Sequence, residues 1–141
     1  MTGHEFMKRV RNTRRRIRLI EEQIERDTIL AAGVGAIRYD KDRVQTSPVQ
    51  DRMTEIVVRI IEATDELKDE ITRLQVFEKE TRFYLLKLPE KYERALSYHY
   101  LDNYTWEQTA NEIGYDYKYI YELKDKALNE LTKVLNESEQ N

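Results

Sequence analysis

Between Tyr104 and Leu123 a small set of residues is spaced as two helices crossing at a sharp turn would need them. Ala110 supplies a small side chain where the two helices would touch. Four residues on, Gly114 can take the positive φ that ends the first helix without steric cost. Ile113, Tyr115, Ile120 and Leu123 fall where the corner needs apolar contacts. Thr105 with Gln108 three residues later makes a capping box, and Asp116 is a good N-cap for the second helix. An alanine and a glycine alone would be weak evidence. Six requirements met at the right spacing predict a helix-turn-helix, whose chemistry is DNA contact. Such a unit can also be a packed helical corner or bind protein.

No catalytic constellation accompanies it. Gly33-Val34-Gly35 has no preceding strand and no third glycine, so it reads as a helix stop and not as a phosphate loop. No cysteine occurs, and His4 and His99 lie far apart with no ligand-like spacing. His99, between Tyr98 and Tyr100, reads as a packed or half-exposed helix residue. No nucleophile has a plausible base. We therefore expect no enzyme activity, no metal and no cofactor.

The elements that must position the motif follow from periodicity. Phe6, Val10, Thr13, Ile17, Ile20 and Ile24 alternate steps of four and three, an amphipathic helix expected over 4–32. A polar loop follows, with Tyr39 to Thr46 at its centre. Ser47-Pro48-Val49-Gln50 starts a second helix, expected over 48–87, with Met53, Val57, Ile60, Thr64, Leu67, Ile71 and Leu74 along one stripe. A helix that long cannot bury one stripe alone, so the two are expected to fold as an antiparallel hairpin. Leu88-Pro89-Glu90 breaks the pattern, with Pro89 expected at the first helical position of the next segment. The expected organisation is all-α: a hairpin over 1–87, a helix-turn-helix unit over 88–136 and a polar tail over 137–141.

Charge is distributed unevenly. Residues 1–50 carry 11 Lys and Arg against 7 Asp and Glu, whereas 89–141 carry 6 against 11. The segment expected to read DNA is the most acidic third, although nonspecific affinity comes from neutralising phosphates. Seven basic residues fall within eleven from Lys8 to Arg18. They read either as a solvated helix face or as phosphate contacts that offset the acidic segment. Nine of the ten tyrosines lie between Tyr84 and Tyr121. Tyr92, Tyr100 and Tyr115 are expected in the core or at its edge. Tyr117, Tyr119 and Tyr121 cannot all be buried beside Ile120. The longest stretch without charge, Thr28 to Ile37, is ten residues, well short of the ~20 that span a bilayer. With a charged N-terminal segment, this leads us to expect no membrane partner and a cytoplasmic location.

The C-terminal third resembles region 4 of the sigma-70 family of bacterial transcription initiation factors. The matching residues are Leu88-Pro89-Glu90-Lys91-Tyr92-Glu93-Arg94, Tyr100-Leu101, Trp106 to Gly114, and Ile120, Leu123, Lys126-Ala127-Leu128 and Leu131. Nothing resembles the other sigma regions. The loop Tyr39 to Pro48 between two helices, ahead of a sigma-like C-terminus, resembles phage and prophage proteins of the ArpU and RinA type, which are implicated in late gene expression.

The resemblance implies that Tyr117, Lys118, Tyr121 and Glu122 face bases in the major groove. It places the backbone N–H groups of Thr105 and Trp106 near phosphate, with Lys124 and Lys126 reaching flanking phosphates. Arg14, Arg15 and Arg16 are the further phosphate candidates, from the basic run. Relatives often carry Arg or Gln on the groove face, where this helix offers mostly tyrosine. Tyrosine gives one hydrogen bond and van der Waals contact with thymine methyls, not a bidentate guanine contact. The expectation is a sequence-specific transcriptional regulator of phage or prophage genes, a monomer or homodimer. Its partners would be double-stranded DNA and, as a further candidate, bacterial RNA polymerase. The alternatives are a small terminase-type packaging protein working as a ring, and an RNA-polymerase-binding adaptor that does not read DNA.

Overall fold

A computed structural model describes residues 1–40 and 47–140. Among these residues the chain is all-α, with five α-helices. α1 spans Gly3–Asp40, α2 Ser47–Leu85, α3 Glu90–Leu96, α4 Trp106–Ile113 and α5 Ile120–Gln140. A π-helical turn, Ser97–Leu101, extends α3, and a 3-10 turn, Tyr117–Tyr119, leads into α5. The core of the expected loop, residues 41–46, lies outside the described residues. Tyr39 and Asp40 belong to α1, and Ser47 and Pro48 to α2.

The chain forms two compact units. The unit Arg15–Thr72 holds α1 from Arg15 to its end and α2 from its start to Thr72. Arg16 Nε lies 3.3 Å from Glu70 Oε2, and Arg59 Nη2 3.0 Å from Asp27 Oδ1. Residue numbers fall on one helix as they rise on the other, so α1 and α2 run antiparallel. Inward positions recur every three and four residues, with Ile56 and Val34 buried and Ile17, Ile20, Ile24, Ile60 and Leu67 half-buried. Asp27 and Glu70, 3% and 7% exposed, also occupy this seam. Hydrogen bonds from Gln23 and Arg59 hold the Asp27 carboxyl below the ordinary carboxylate range. Cutting one partner of such a pair leaves a buried charge uncompensated, which fixes register strongly.

Two expectations are corrected here. Gly33 and Gly35 do not stop α1. Glycine in a helix costs only about 1 kcal/mol relative to alanine, and the buried Val34 between them offsets that by packing. At Gly35 an added Cβ would meet Met53 Cε at 3.7 Å, an ordinary van der Waals contact, so the approach of α2 does not depend on the glycine. The α2 stripe also differs from the expected one. Val57 and Ile71 are 42% and 41% exposed, while Ile56 and Glu70, their immediate neighbours, point inward. Apolar residues line both flanks of the 53–60–67–74 row, and the sequence alone did not show which flank α1 covers.

The second unit combines Met1–Arg14 with Arg73–Asn141. Thr2 and Glu5 form a capping box at the start of α1, with Glu5 N–H donating to Thr2 Oγ1 at 3.2 Å and Thr2 N–H to Glu5 Oε2 at 3.3 Å. Gly3 is pressed against α5. Its N–H donates to Thr132 Oγ1 at 2.7 Å, and a Cβ there would lie 2.5 Å from the Leu128 carbonyl oxygen. Phe6, Met7 and Val10 of α1 join Leu85, Tyr100, Leu128 and Leu131 in one core. The turn after Leu85 falls near the expected boundary at 87, yet the first fourteen residues pack with the C-terminal third. Pro89 caps α3 instead of opening it: its ψ of 143° is extended, and the helix begins at Glu90.

Candidate nucleic-acid interface

The corner is built as its residues require. Thr105 Oγ1 accepts from the Gln108 N–H at 3.1 Å, and the Gln108 carboxamide oxygen accepts from the Thr105 N–H at 2.9 Å. Gly114 ends α4 with φ 71°, and the Tyr115 N–H donates to the Ala110 carbonyl at 2.8 Å. Ala110 is fully buried with Ala95, Ile120 and Leu123, and Ile113 and Tyr115 pack against this cluster. Asp116 caps the following turn by accepting from the Lys118 N–H at 3.0 Å. The second helix therefore opens as a tight 3-10 turn before becoming regular at Ile120.

That opening carries the base-facing candidates. Tyr117, Tyr119 and Tyr121 are 51%, 53% and 47% exposed, and Lys118 and Glu122 are exposed beside them. Tyr117 and Tyr121, one turn apart, meet edge to face at 6.1 Å, with hydroxyl oxygens 3.5 Å apart. The hydrogen bond with Tyr121 raises the Tyr117 pKa above the ordinary phenol value. The Tyr117 hydroxyl therefore stays protonated at neutral pH and can donate.

The charged candidates fare differently. Glu122 and Lys126 pair with each other at 3.5 Å across one helical turn. Lys124 lies half-buried, its Nζ 5.6 Å from the centre of the Trp106 ring. The Thr105 N–H, expected near phosphate, is taken up by the Gln108 side chain, because a capping box satisfies both of its donors internally. Trp106 is half-buried and stacks on His99 at 3.8 Å with 18° between planes.

The basic run is divided: Lys8, Arg15, Arg16 and Arg18 are exposed, whereas Arg9, Arg11 and Arg14 are half-buried against partners in the chain. Arg9 lies over the Phe6 and Phe77 rings at 4.0 and 4.4 Å and bonds Glu80. Arg11 Nη2 donates to the His99 carbonyl at 2.6 Å, and its Nη1 lies 3.4 Å from His99 Nε2. Arg14 donates to the Leu101 carbonyl at 2.6 Å and to Glu78 at 2.9 Å. Within their unit, Arg11 and Arg14 tie α1 to the π-helical turn, and Arg9 ties it to α2. Arg16, in the other unit, binds Glu70. Arg15 is exposed. The sequence carried no signal for the pairing of Arg11 with His99, which are separated by 88 positions.

Burial pushes the His99 pKa down to about 4, assisted by Arg11 and Lys124 and opposed by the Tyr104 carbonyl. His99 Nδ1 lies 2.7 Å from that carbonyl. A carbonyl only accepts and a guanidinium only donates, so the neutral ring carries its proton on Nδ1. Asn103, with φ 62°, turns the chain between the π-helical turn and α4. No described helix is long and apolar enough to cross a membrane. Comparison with protein-family models, curated proteins and solved structures gives no match.

Proposed function

We propose that this chain binds double-stranded DNA through its helix-turn-helix and regulates transcription of phage or prophage genes, with bacterial RNA polymerase as a candidate second partner. The observation that carries the reading is the corner itself. A reciprocal capping box, a buried Ala110 and a left-handed Gly114 hold a helix whose first turn exposes Tyr117, Lys118 and Tyr121. A rigid helix N-terminus with exposed hydrogen-bonding side chains is what groove recognition needs. The tyrosine hydroxyls and the Lys118 side chain supply donors, and the tyrosine rings supply surface for thymine methyls.

A second reading is favoured by the same surface. Three exposed tyrosines around a Glu122–Lys126 pair that neutralises itself suit a protein partner as well as a duplex. In that case the unit is an adaptor that docks on RNA polymerase without reading DNA. Genome-wide DNA occupancy during phage induction, with titration of any enriched site against its scrambled duplex, tests the first reading. Occupancy at defined promoter sites supports it. Polymerase binding with no affinity for any duplex supports the adaptor.

A further inference from the structure

In the unit Arg15–Thr72, one flank of α2 is left uncovered. Val57, Ile61 and Ile71 are 42%, 55% and 41% exposed. With Thr64 and Lys68 they recur at steps of four, three, four and three, a straight stripe about 21 Å long at 1.5 Å per residue. Arg59 precedes the inward Ile60 by one residue, whereas Val57 follows the inward Ile56 by one. At 100° per residue these positions lie on opposite flanks of the seam. One flank is closed by arginines reaching over Glu70 and Asp27. The other is aliphatic.

The aliphatic flank is symmetric about Thr64, with Val57 and Ile71 equally spaced on either side of it and Ile61 and Lys68 nearly so. A two-fold axis crossing the helices there lays α2 antiparallel on α2 of a second copy. Val57 then meets Ile71, and Ile61 meets the stem of Lys68, whose ammonium stays in water. The same axis has a consequence on α1. The pairs Arg16–Glu70 and Asp27–Arg59 set residues 64–65 level with 21–22. The exposed Arg18 and Glu25 lie at equal distances from that level on the same flank of α1. The axis therefore places each Arg18 opposite Glu25 of the other copy, giving two ion pairs from one symmetry operation. Turning the second copy the other way would bury the three aliphatic side chains against Arg18, Glu21 and Glu25. Glu21 sits nearest the axis and faces its own counterpart, with Arg18 one turn away.

We infer that this flank is the docking face of a second copy of the chain, joined as two antiparallel hairpins with Arg18–Glu25 pairs across the interface. The inference stands apart from the DNA reading.

Sedimentation equilibrium of the full chain should give a dimer. Ile61→Glu should yield a monomer with unchanged helical circular dichroism. Arg18→Glu and Glu25→Arg should each weaken the dimer by about tenfold or more, and the double variant should regain most of that loss. Glu21→Gln should tighten it. A wild-type chain that stays monomeric overturns the proposal, as does a dimer that tolerates Ile61→Glu. If Ile61→Glu loses helicity, the charge exchange decides: a double variant no tighter than either single one rules out this face.

Discussion

Arg11 fixes which nitrogen of His99 carries the proton. Its guanidinium lies 3.4 Å from Nε2 while the Tyr104 carbonyl sits 2.7 Å from Nδ1. One neighbour can only donate and the other can only accept, so the ring is held neutral with its proton on Nδ1. Protonation of Nε2 would bring a second cation against Arg11 in a half-buried site stacked on Trp106.

This gives a pH dependence with a defined sign. The folded-state pKa of His99 is lowered from 6.5 to about 4. Between those values the unfolded chain binds the proton and the folded chain does not, so stability falls as pH drops through that window. Below about 4 the histidine is protonated in both states and costs no further stability. His99→Phe keeps the stack on Trp106 and removes the titration. Urea melts at pH 7, 6 and 5 should show the wild type losing stability faster than the variant. Parallel losses would mean that the ring titrates normally.

The two glycines near the ends of α1 should respond in opposite directions to alanine. At Gly3 the added Cβ would lie 2.5 Å from the Leu128 carbonyl oxygen, which is backbone and cannot step aside. Gly3→Ala should destabilise by ~1–3 kcal/mol, as overpacking does. At Gly33 nothing lies within 4 Å, and the residue is helical. Gly33→Ala should stabilise by ~0.5–1 kcal/mol through propensity alone. A Gly3→Ala variant that melted at or above the wild type would refute the packing of the α1 N-terminus on α5.

The corner was legible in the sequence because each of its requirements is local. Thr105 and Gln108, Ala110 and Gly114 act within a few residues of one another, and the structure joins them as their spacing demanded. The helix pair was legible as a pair for a similar reason. Which flank of α2 faces inward was not, because Ile56 and Val57 are equally apolar and only the partner helix decides between them. The partners of Arg11 and Arg14 were not legible, because charge count says nothing about long-range contacts. A run of seven cations reads as a surface, while Arg11 and Arg14 are committed to carbonyls at the end of the π-helical turn.

Arg14 and Arg15 are neighbours with different predicted fates. Arg14→Ala removes a 2.6 Å bond to the Leu101 carbonyl and the pair with Glu78. Leaving that carbonyl without its donor should cost ~1–3 kcal/mol. Arg15→Ala, on an exposed side chain, should fall within about 0.5 kcal/mol of the wild type. Chemical denaturation of the two variants checks this directly. Equal midpoints would mean that Arg14 does not brace the turn.

Base reading and simple adherence to DNA separate in the last comparison. Once a binding site is known, Lys118→Ala and Tyr121→Ala should each weaken specific binding by roughly 1–3 kcal/mol and barely change binding to a scrambled duplex. Arg15→Gln offers a contrasting case, because Arg14 and Arg16 are held by intramolecular partners while Arg15 is exposed. If Arg15 touches phosphate, its loss weakens both duplexes alike and makes the salt dependence shallower by about one ion. Titrations at several salt concentrations read both effects. Equal losses on both duplexes for the Lys118 and Tyr121 variants would remove their reading role. The acidic balance of residues 89–141, 6 cations against 11 anions, predicts a shallow salt slope for the wild type itself. A steep one would place most of the phosphate contacts outside that segment.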